Sequence, residues 1–411
     1  ARSRATLLVA TWALAACTGP LLTPSPPPTQ APAPVAEPLP DVRNLPPRPM
    51  PIPGPGTPPP VGTPPPPRPP LPPAEVGSDA VLRLLPTDIS DRRGWAMDVH
   101  RAFTSIGLAL SDDNICAALA VIEQESSWQA DPAVPGLPRI VRAEIEKRRA
   151  RYGIPKMVLD AALLKASPDG RSYRERIDRL RTERQTSALF EDMIAELPFG
   201  RTLLADQNPI RTGGPMQVSI RFAEEFIPRG GYPYPRGDTI RHEVFTRRGG
   251  LYFGIANLLA YPADYPEPLY RFADFNAGQF SSRNAAFQAA VARLSGRRLA
   301  LDGDLLRYAD GVPSSEPSAT QKTLHGLTDR LGISLRAIDR DLSLEKGPGF
   351  SSTRLYQRVY ALAEQQARQA LPRQQLPRID LSSPKIQRKL TTEWFARRVD
   401  GRYRACLARA S

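Results

Sequence analysis

Histidine and cysteine are scarce in this chain of 411 residues, which contains three of each. His100, His242 and His325 are widely separated, and His242-Glu243 lacks the second histidine of a zinc-binding helix. The sequence therefore predicts no metal site, and nothing in it indicates a cofactor.

Long apolar runs are also missing, since no segment beyond the start of the chain has the 18 consecutive apolar residues of a membrane-spanning helix. At the start, Arg2 and Arg4 precede an uncharged run over 5–16, which is typical of a secretion signal. This run is too short to cross a bilayer as a helix, which takes about 20 residues. We expect residues 1–16 to be a signal peptide.

The apolar run ends at Leu14-Ala15-Ala16-Cys17, which resembles the lipobox of bacterial lipoproteins. The resemblance implies that the sulfur of Cys17 receives a lipid and anchors the protein to a membrane. Thr18 follows where an aspartate is the usual inner-membrane retention signal, so we expect the outer membrane. The alternative is an ordinary signal peptide whose cysteine is accidental.

Proline is concentrated in one segment, because Pro20 to Pro73 holds 26 of the chain's 47 prolines. Almost no large apolar side chains accompany them, so no packed core can form there. Polyproline II rises about 3.1 Å per residue, which limits the reach to the order of 150 Å. We expect residues 17–78 to be a disordered tether that reaches the cell wall. The alternative is a disordered spacer with no particular reach, which would have the same composition.

The formal charge is +13, and arginine supplies nearly all of the excess because lysine occurs only seven times. Such a charge suits anionic cell-wall or lipopolysaccharide groups, although a GC-rich genome also enriches arginine. A secreted protein does not meet nucleic acid, so we exclude that partner.

Cys116 and Cys406 remain once Cys17 is lipidated. An even number of remaining cysteines in an oxidising compartment indicates a disulfide, which would join the first core helix to the last. The alternative is two separate buried thiols.

From Arg92 onward the pattern is helical and alternating strand patterns are scarce, which predicts a mostly α fold. The predicted helices cover roughly 92–106, 112–126, 138–152, 155–166, 171–197, 217–227, 238–260, 282–294, 317–331, 334–343, 353–370 and 384–408.

The helix predicted over 112–126 is apolar on every side along ICAALAVI and should be buried. It delivers Glu123 and Glu125 to a place with little water, where desolvation raises a carboxyl pKa towards the range of a general acid. Two positions on a helix differ by about 200°, so the two glutamates point to nearly opposite sides. One is a candidate catalytic group, and the other faces solvent or forms an ion pair.

Three short motifs occur in order along the chain. They are Glu125-Ser126-Ser127-Trp128, Gly214-Pro215-Met216-Gln217-Val218 and Ala273-Asp274-Phe275-Asn276-Ala277-Gly278. They resemble the E-S, G-L-M-Q and A-x-Y-N-A-G motifs of lytic transglycosylases and goose-type lysozymes. The resemblance implies a lysozyme-like helical domain that acts on peptidoglycan.

The resemblance also assigns roles to the matching residues. Glu125 is the single general acid, and it then deprotonates the muramic acid 6-hydroxyl, which closes on C1 to give a 1,6-anhydro product. The substrate's own acetamido group stabilises the cation, so no second protein carboxylate is needed. The substrate-binding positions are Ser126, which also buttresses the helix end, Met216, Gln217, Phe275 and Asn276.

The chain departs from the family pattern in three places. Phe275 replaces a tyrosine, Pro215 replaces a leucine, and 89 positions separate Glu125 from Gly214 where the family has a short connection. We therefore predict a lysozyme-like domain over 79–300 with a helical insertion at about 137–205, and a C-terminal helical extension over 301–411 packed on it.

The insertion is dense in charge, with Glu and Arg often four positions apart, which is typical of solvated helix faces. A basic surface for an anionic polymer is the alternative, and an envelope protein is another candidate partner of this surface. The segment YRFADFNAGQFSSRNAAFQ, with the lipobox and stalk, also resembles proteobacterial outer-membrane lipoproteins of unassigned function. The sequence thus favours a lytic transglycosylase. A non-catalytic lipoprotein that binds peptidoglycan or serves as a surface or uptake accessory is the alternative.

Overall fold

The structure is a computed structural model that describes residues 77–410, except 198, 231, 236, 238, 310–311 and 382–389. The predicted signal peptide, Cys17 and the tether before residue 77 lie outside the described residues. Within the described part, no helix is both long and apolar enough to cross a membrane.

Helices dominate the described residues, which confirms the mostly α prediction. The first half contains α1 (Asp79–Leu84), α2 (Arg92–Ile106), α3 (Asp112–Ser126), α4 (Leu137–Arg151), α5 (Lys156–Leu163), α6 (Tyr173–Asp178), α7 (Glu183–Ala195), α8 (Gly200–Leu204), β1 (Thr212–Gly213), β2 (Val218–Ser219) and α9 (Ile220–Gly230). The second half contains α10 (Ile240–Val244), α11 (Arg247–Leu259), α12 (Pro268–Ala277), α13 (Ser281–Ser295), β3 (Tyr308–Ala309), β4 (Val312–Pro313), α14 (Ala319–His325), α15 (Thr328–Leu331), α16 (Leu335–Leu342), α17 (Arg354–Ala367), β5 (Asp380–Leu381), β6 (Leu390–Thr391) and α18 (Thr392–Leu407). Each strand pair is a two-residue antiparallel ladder.

Local capping explains why α2 and α3 begin and end where the sequence predicts. The Asp91 carboxylate accepts from Gly94 N, and Gly107 ends α2 in the left-handed conformation. Ser111 caps α3 by accepting from Asn114 N. The residues from Ile115 to Ile122 are all buried, as their apolar pattern predicts.

Three apolar cores lie in the described part of the chain. The first combines α1 to α3 with α9 to α12 and α18. The second is built only from residues between Leu137 and Leu197, within the predicted insertion. The third joins α13 to the helices of the C-terminal region. Residues of the predicted insertion thus pack around a core of their own, while α18 contributes to the first core. The exact domain boundaries stay predictions.

The last helix is fixed to α3 by side chains along both helices. Cys116 and Cys406 form a disulfide with their Cα atoms 5.5 Å apart. Tyr403 Oη donates to Asp113 Oδ1 at 2.6 Å. The C-terminal residues therefore belong structurally to the same core as the end of α3.

Four helix predictions were wrong. The segments predicted as single helices over 171–197, 238–260 and 317–331 are each divided into two. The last helix begins at Thr392, not near 384, because Thr391 is its cap and accepts from Trp394 N. In addition, α12 was not predicted, although Pro268 occupies the first turn, where proline is tolerated.

Candidate active site

An open groove of about 690 Å³ is lined by residues from all three sequence motifs. Glu125 comes from the end of α3, Gln217 from the turn between β1 and β2, and Asn276 from the end of α12. Phe275 lines the groove beside Asn276. Residues more than 150 positions apart in sequence are thus brought to one surface.

The two glutamates at the end of α3 face different cavities, as the helix geometry predicts. Glu125 is half-buried in the groove. Glu123 lines a separate cavity, where its Oε1 lies 3.2 Å from Arg402 Nε. The helix ends at Ser127, which adopts the left-handed conformation with φ of 48°. Of the two glutamates on α3, Glu125 is therefore the one that a ligand in the groove would meet.

Two residues predicted to bind substrate do not line the groove. Met216 is fully buried in the first core, and its side chain lies against Gly254. Ser126 is also buried, and its Oγ donates to Ile122 O at 2.9 Å. The substrate contacts assigned to these side chains were wrong, because both lie beneath the surface and support it. The buttressing role inferred for Ser126 stays a prediction.

The second motif forms the tight turn between β1 and β2. Gly214 has φ of 73°, and Gln217 has φ of 49°. The side-chain Nε2 of Gln217 donates to Gly214 O at 3.4 Å, and Thr212 Oγ1 donates to Gln217 Oε1 at 3.3 Å. The turn thus holds the Gln217 amide in the groove wall with hydrogen bonds from both of its sides.

Replacing Gly214 by alanine should lower the free energy of unfolding by about 3 kcal/mol. The energetic cost of a left-handed backbone at a non-glycine residue and the cost of overpacking both contribute to this loss. A Cβ at this position would lie 2.1 Å from Val244 O, a backbone atom that cannot rotate away. Gly332 is the matched control, since its φ is 65° and a Cβ there meets no described atom within 4 Å. Gly332→Ala should lose only about 1 kcal/mol in urea unfolding. Equal losses for the two variants would contradict the close packing of the turn.

The third motif is held from both sides of α12. Asn276 Oδ1 accepts from Thr392 Oγ1 at 3.0 Å, which links the groove to the start of α18. The buried Asp274 carboxylate accepts from Ser282 N at 2.6 Å and Tyr265 Oη at 2.7 Å, and Tyr261 Oη adds a third bond. Asp274 thereby ties the end of α12 to the first turn of α13.

Burial raises the pKa of Asp274 above its ordinary value, even though its hydrogen bonds oppose the shift. A carboxyl whose pKa is higher in the folded state gives its full stabilisation below the unfolded pKa of about 3.9 and loses it as pH rises through the folded value. Asp274→Asn cannot ionise, so the stability advantage of wild type over this variant should shrink from pH 4 upward. Denaturant unfolding of both proteins across the pH range measures it. The exposed Asp264→Asn variant is the control, and an advantage that grows with pH would contradict the expectation.

Aromatic and charged side chains that the motifs do not include complete the groove. Phe222 and Phe226, one turn apart on α9, stack with ring centroids 5.5 Å apart. Glu225 lies on the same helix and pairs with Arg221 at 2.8 Å. Lys346 reaches the groove from the C-terminal region. The sequence signal for the two phenylalanines is their spacing on a predicted helix. This signal is weak, because apolar residues at that spacing usually mark a core.

Among the described residues, no group of three or more His, Cys, Asp or Glu side chains is placed to hold a metal ion. In the predicted insertion, Lys156 and Arg174 both pair with Asp160, at 2.9 and 3.0 Å, and more than a third of each side chain is exposed. This agrees with the interpretation of its helices as solvated surfaces.

The geometry defines a mostly helical protein with two carboxyl groups, those of Glu125 and Glu225, and several aromatic rings in an open groove. The family described as "Protein of unknown function (DUF1615)" matches residues 88–409, and the chain belongs to this family. It is 52% identical over 332 residues to "Uncharacterized protein YaiW" of Escherichia coli (strain K12), covering 80% of this chain and 89% of that protein. No solved structure matches the chain.

Proposed function

We propose that this protein is a lytic transglycosylase that cleaves the glycan strands of peptidoglycan. The observation that supports it most is the meeting of Glu125, Gln217 and Asn276 in one groove. These residues belong to three motifs that resemble those of the enzyme family in the same order. An open groove with aromatic walls also suits a linear sugar chain, because sugar rings pack on aromatic faces.

In the proposed reaction, the Glu125 carboxyl protonates the oxygen of the glycosidic bond, and the C1–O bond breaks. The substrate's acetamido group stabilises the positive charge that develops at C1. The Glu125 carboxylate then takes the proton of the muramic acid 6-hydroxyl, and that oxygen bonds to C1. The enzyme returns to its starting protonation state, and no water is consumed.

Gln217 and Asn276 are the proposed hydrogen-bonding groups for the sugar. Each is already oriented by a protein contact, from Thr212 and Thr392 respectively. A side chain held in one rotamer before the substrate arrives loses less entropy on binding. Phe275 provides an aromatic face but not the hydroxyl of the family's tyrosine.

The proposed setting is the bacterial envelope, with the protein anchored to the outer membrane through a lipid on Cys17. A tether of proline-rich sequence would allow the groove to reach the wall. Metabolic labelling with a radioactive fatty acid, compared with a Cys17→Ser variant, tests the anchor. Absence of label from wild type would contradict it.

Digestion of purified sacculi tests the activity. The protein should release muropeptides with a 1,6-anhydro end, identified by their mass, which is one water lower than that of the hydrolysed product. Sedimentation with sacculi but no soluble product would instead favour a non-catalytic peptidoglycan-binding lipoprotein. The absent hydroxyl at Phe275 is the feature that favours this second function.

A further inference from the structure

A second cavity, of about 670 Å³, lies on the other side of the end of α3 from the groove. Three parts of the chain line it: the loop over 86–90, residues 123–129 at the end of α3, and the C-terminal helix α18 with Arg409 beyond it. Ser127 and Trp128 of the first motif line this cavity, but the proposed glycan cleavage does not use it.

The walls of the cavity are fixed to one another. Arg409 Nε donates to Leu84 O at 2.8 Å, and the disulfide joins α3 to α18. Arg92 Nη2 donates to Leu82 O at 2.9 Å and to Leu85 O at 3.2 Å, which holds the chain just before the loop. The cavity is therefore formed without a ligand, and a ligand would lose little affinity in ordering it.

Four charged side chains line the cavity, two of each sign. Asp88 and Glu123 are acidic, and Arg402 and Arg409 are basic. Arg402 Nε forms an ion pair with Glu123 Oε1 at 3.2 Å, and both side chains remain partly exposed. The guanidinium has five N–H donors, so a ligand carboxylate can pair with Arg402 beside Glu123.

An apolar surface lies beside these charges. Trp128 lines the cavity, half-buried and in edge contact with Trp95 at 5.5 Å between ring centroids. Pro86 and Ile89 add aliphatic surface. The φ of 66° at Trp128 places its ring after the left-handed helix end, where a bulky residue is uncommon. Strained positions of this kind persist where the surroundings require them.

We propose that this second cavity binds a zwitterionic ligand of the amino-acid class. The carboxylate pairs with Arg402 and Arg409, the ammonium group pairs with Asp88 and Glu123, and the apolar side chain packs on Trp128. A ligand with one charge contacts only one of these two pairs of side chains, so it binds less tightly. The site is independent of glycan cleavage, but its ligand contacts the same helix end that carries Glu125.

Calorimetric titration of the purified full chain in detergent tests the proposal with three matched probes. Leucine carries both charges, leucinamide carries only the positive charge, and N-acetylleucine carries only the negative charge. Leucine should bind at least about tenfold more tightly than either analogue, as expected for the loss of one charge-assisted contact. No heat with leucine up to millimolar concentrations, or equal binding of all three probes, would overturn the proposal.

Two variants locate the binding and assign its two ends. Asp88 is exposed, so Asp88→Asn should leave the fold intact and remove most of the preference for leucine over N-acetylleucine. Arg402→Gln should remove the preference for leucine over leucinamide. Asp264→Asn, an exposed change outside the cavity, should behave as wild type. If both cavity variants keep the wild-type preferences, leucine binds elsewhere and the proposed site is wrong.

Discussion

Glu125→Gln should lower the release of 1,6-anhydro muropeptides from sacculi by at least about 100-fold, which is the usual range for losing a general acid. Glutamine has nearly the same shape, so the groove and the end of α3 should be preserved. It cannot give a proton to the glycosidic oxygen or take one from the 6-hydroxyl. The measurement is the initial rate of product formation, together with sedimentation on sacculi to show that binding persists.

Glu123→Gln is the matched control for this experiment. It makes the same change two residues away on the same helix, but Glu123 lines the other cavity beside Arg402. This variant should keep most of the activity. Equal activity of Glu125→Gln and wild type would reject Glu125 as the catalytic acid.

Glu225→Gln distinguishes one-carboxylate from two-carboxylate chemistry. Glu225 also lines the groove, its side chain is 65% exposed, and it pairs with Arg221. The proposed mechanism uses the substrate's acetamido group in place of a second carboxylate, so this variant should still form the anhydro product. Loss of activity in both variants would indicate a pair of catalytic carboxyl groups instead.

The helix geometry of the first motif could be predicted because it depends only on local periodicity. The apolar run of α3 predicts that this helix is buried. The two-residue spacing predicts that the side chains of Glu123 and Glu125 point to nearly opposite sides of the helix. Both features appear in the structure. The mostly α fold followed from the same periodicity.

The depth of individual side chains could not be predicted from the motifs. Met216 and Gln217 are adjacent, but the turn that begins at Gly214 sends Met216 into the core and leaves Gln217 in the groove. Which neighbour faces the groove depends on left-handed backbone angles that a motif does not specify. Ser126 is buried for a different reason, because it is the last residue of α3 and lies one turn after the buried Ile122.

Contacts between segments that are distant in sequence were the hardest feature to predict. Asp274 stands at the variable position of the third motif, yet its bonds to Tyr261, Tyr265 and Ser282 orient α12. Thr392 fixes Asn276 across 116 positions. No periodic pattern in the sequence predicts such partners, because they depend on how the whole chain packs.

Removing the disulfide with Cys116→Ala and Cys406→Ala should lower the free energy of unfolding by on the order of 5 kcal/mol in the loop-closure model. The reason is that the bond closes a loop across 290 positions and restricts the unfolded chain. The midpoint of thermal unfolding should fall by about 10 °C, given about 2 °C per kcal/mol for a domain of this size. Each single substitution should be nearly as destabilising as the double one. Unchanged stability in the double variant, or two free thiols in unfolded unreduced wild type, would contradict the bond.

The loss of the disulfide should also reach the groove, because α18 carries Cys406 near one end and Thr392 at the other. A less firmly held α18 weakens the hydrogen bond that orients Asn276, so KM for glycan should rise more than kcat falls. Wild type treated with reductant should match the double variant, and the variant itself should not respond to reductant. Tyr403→Phe is the packing control, since it removes only the bond to Asp113 and should lose about 1 kcal/mol. If it raises KM as much as the double variant does, general loosening of α3 against α18, and not the covalent link, controls the groove.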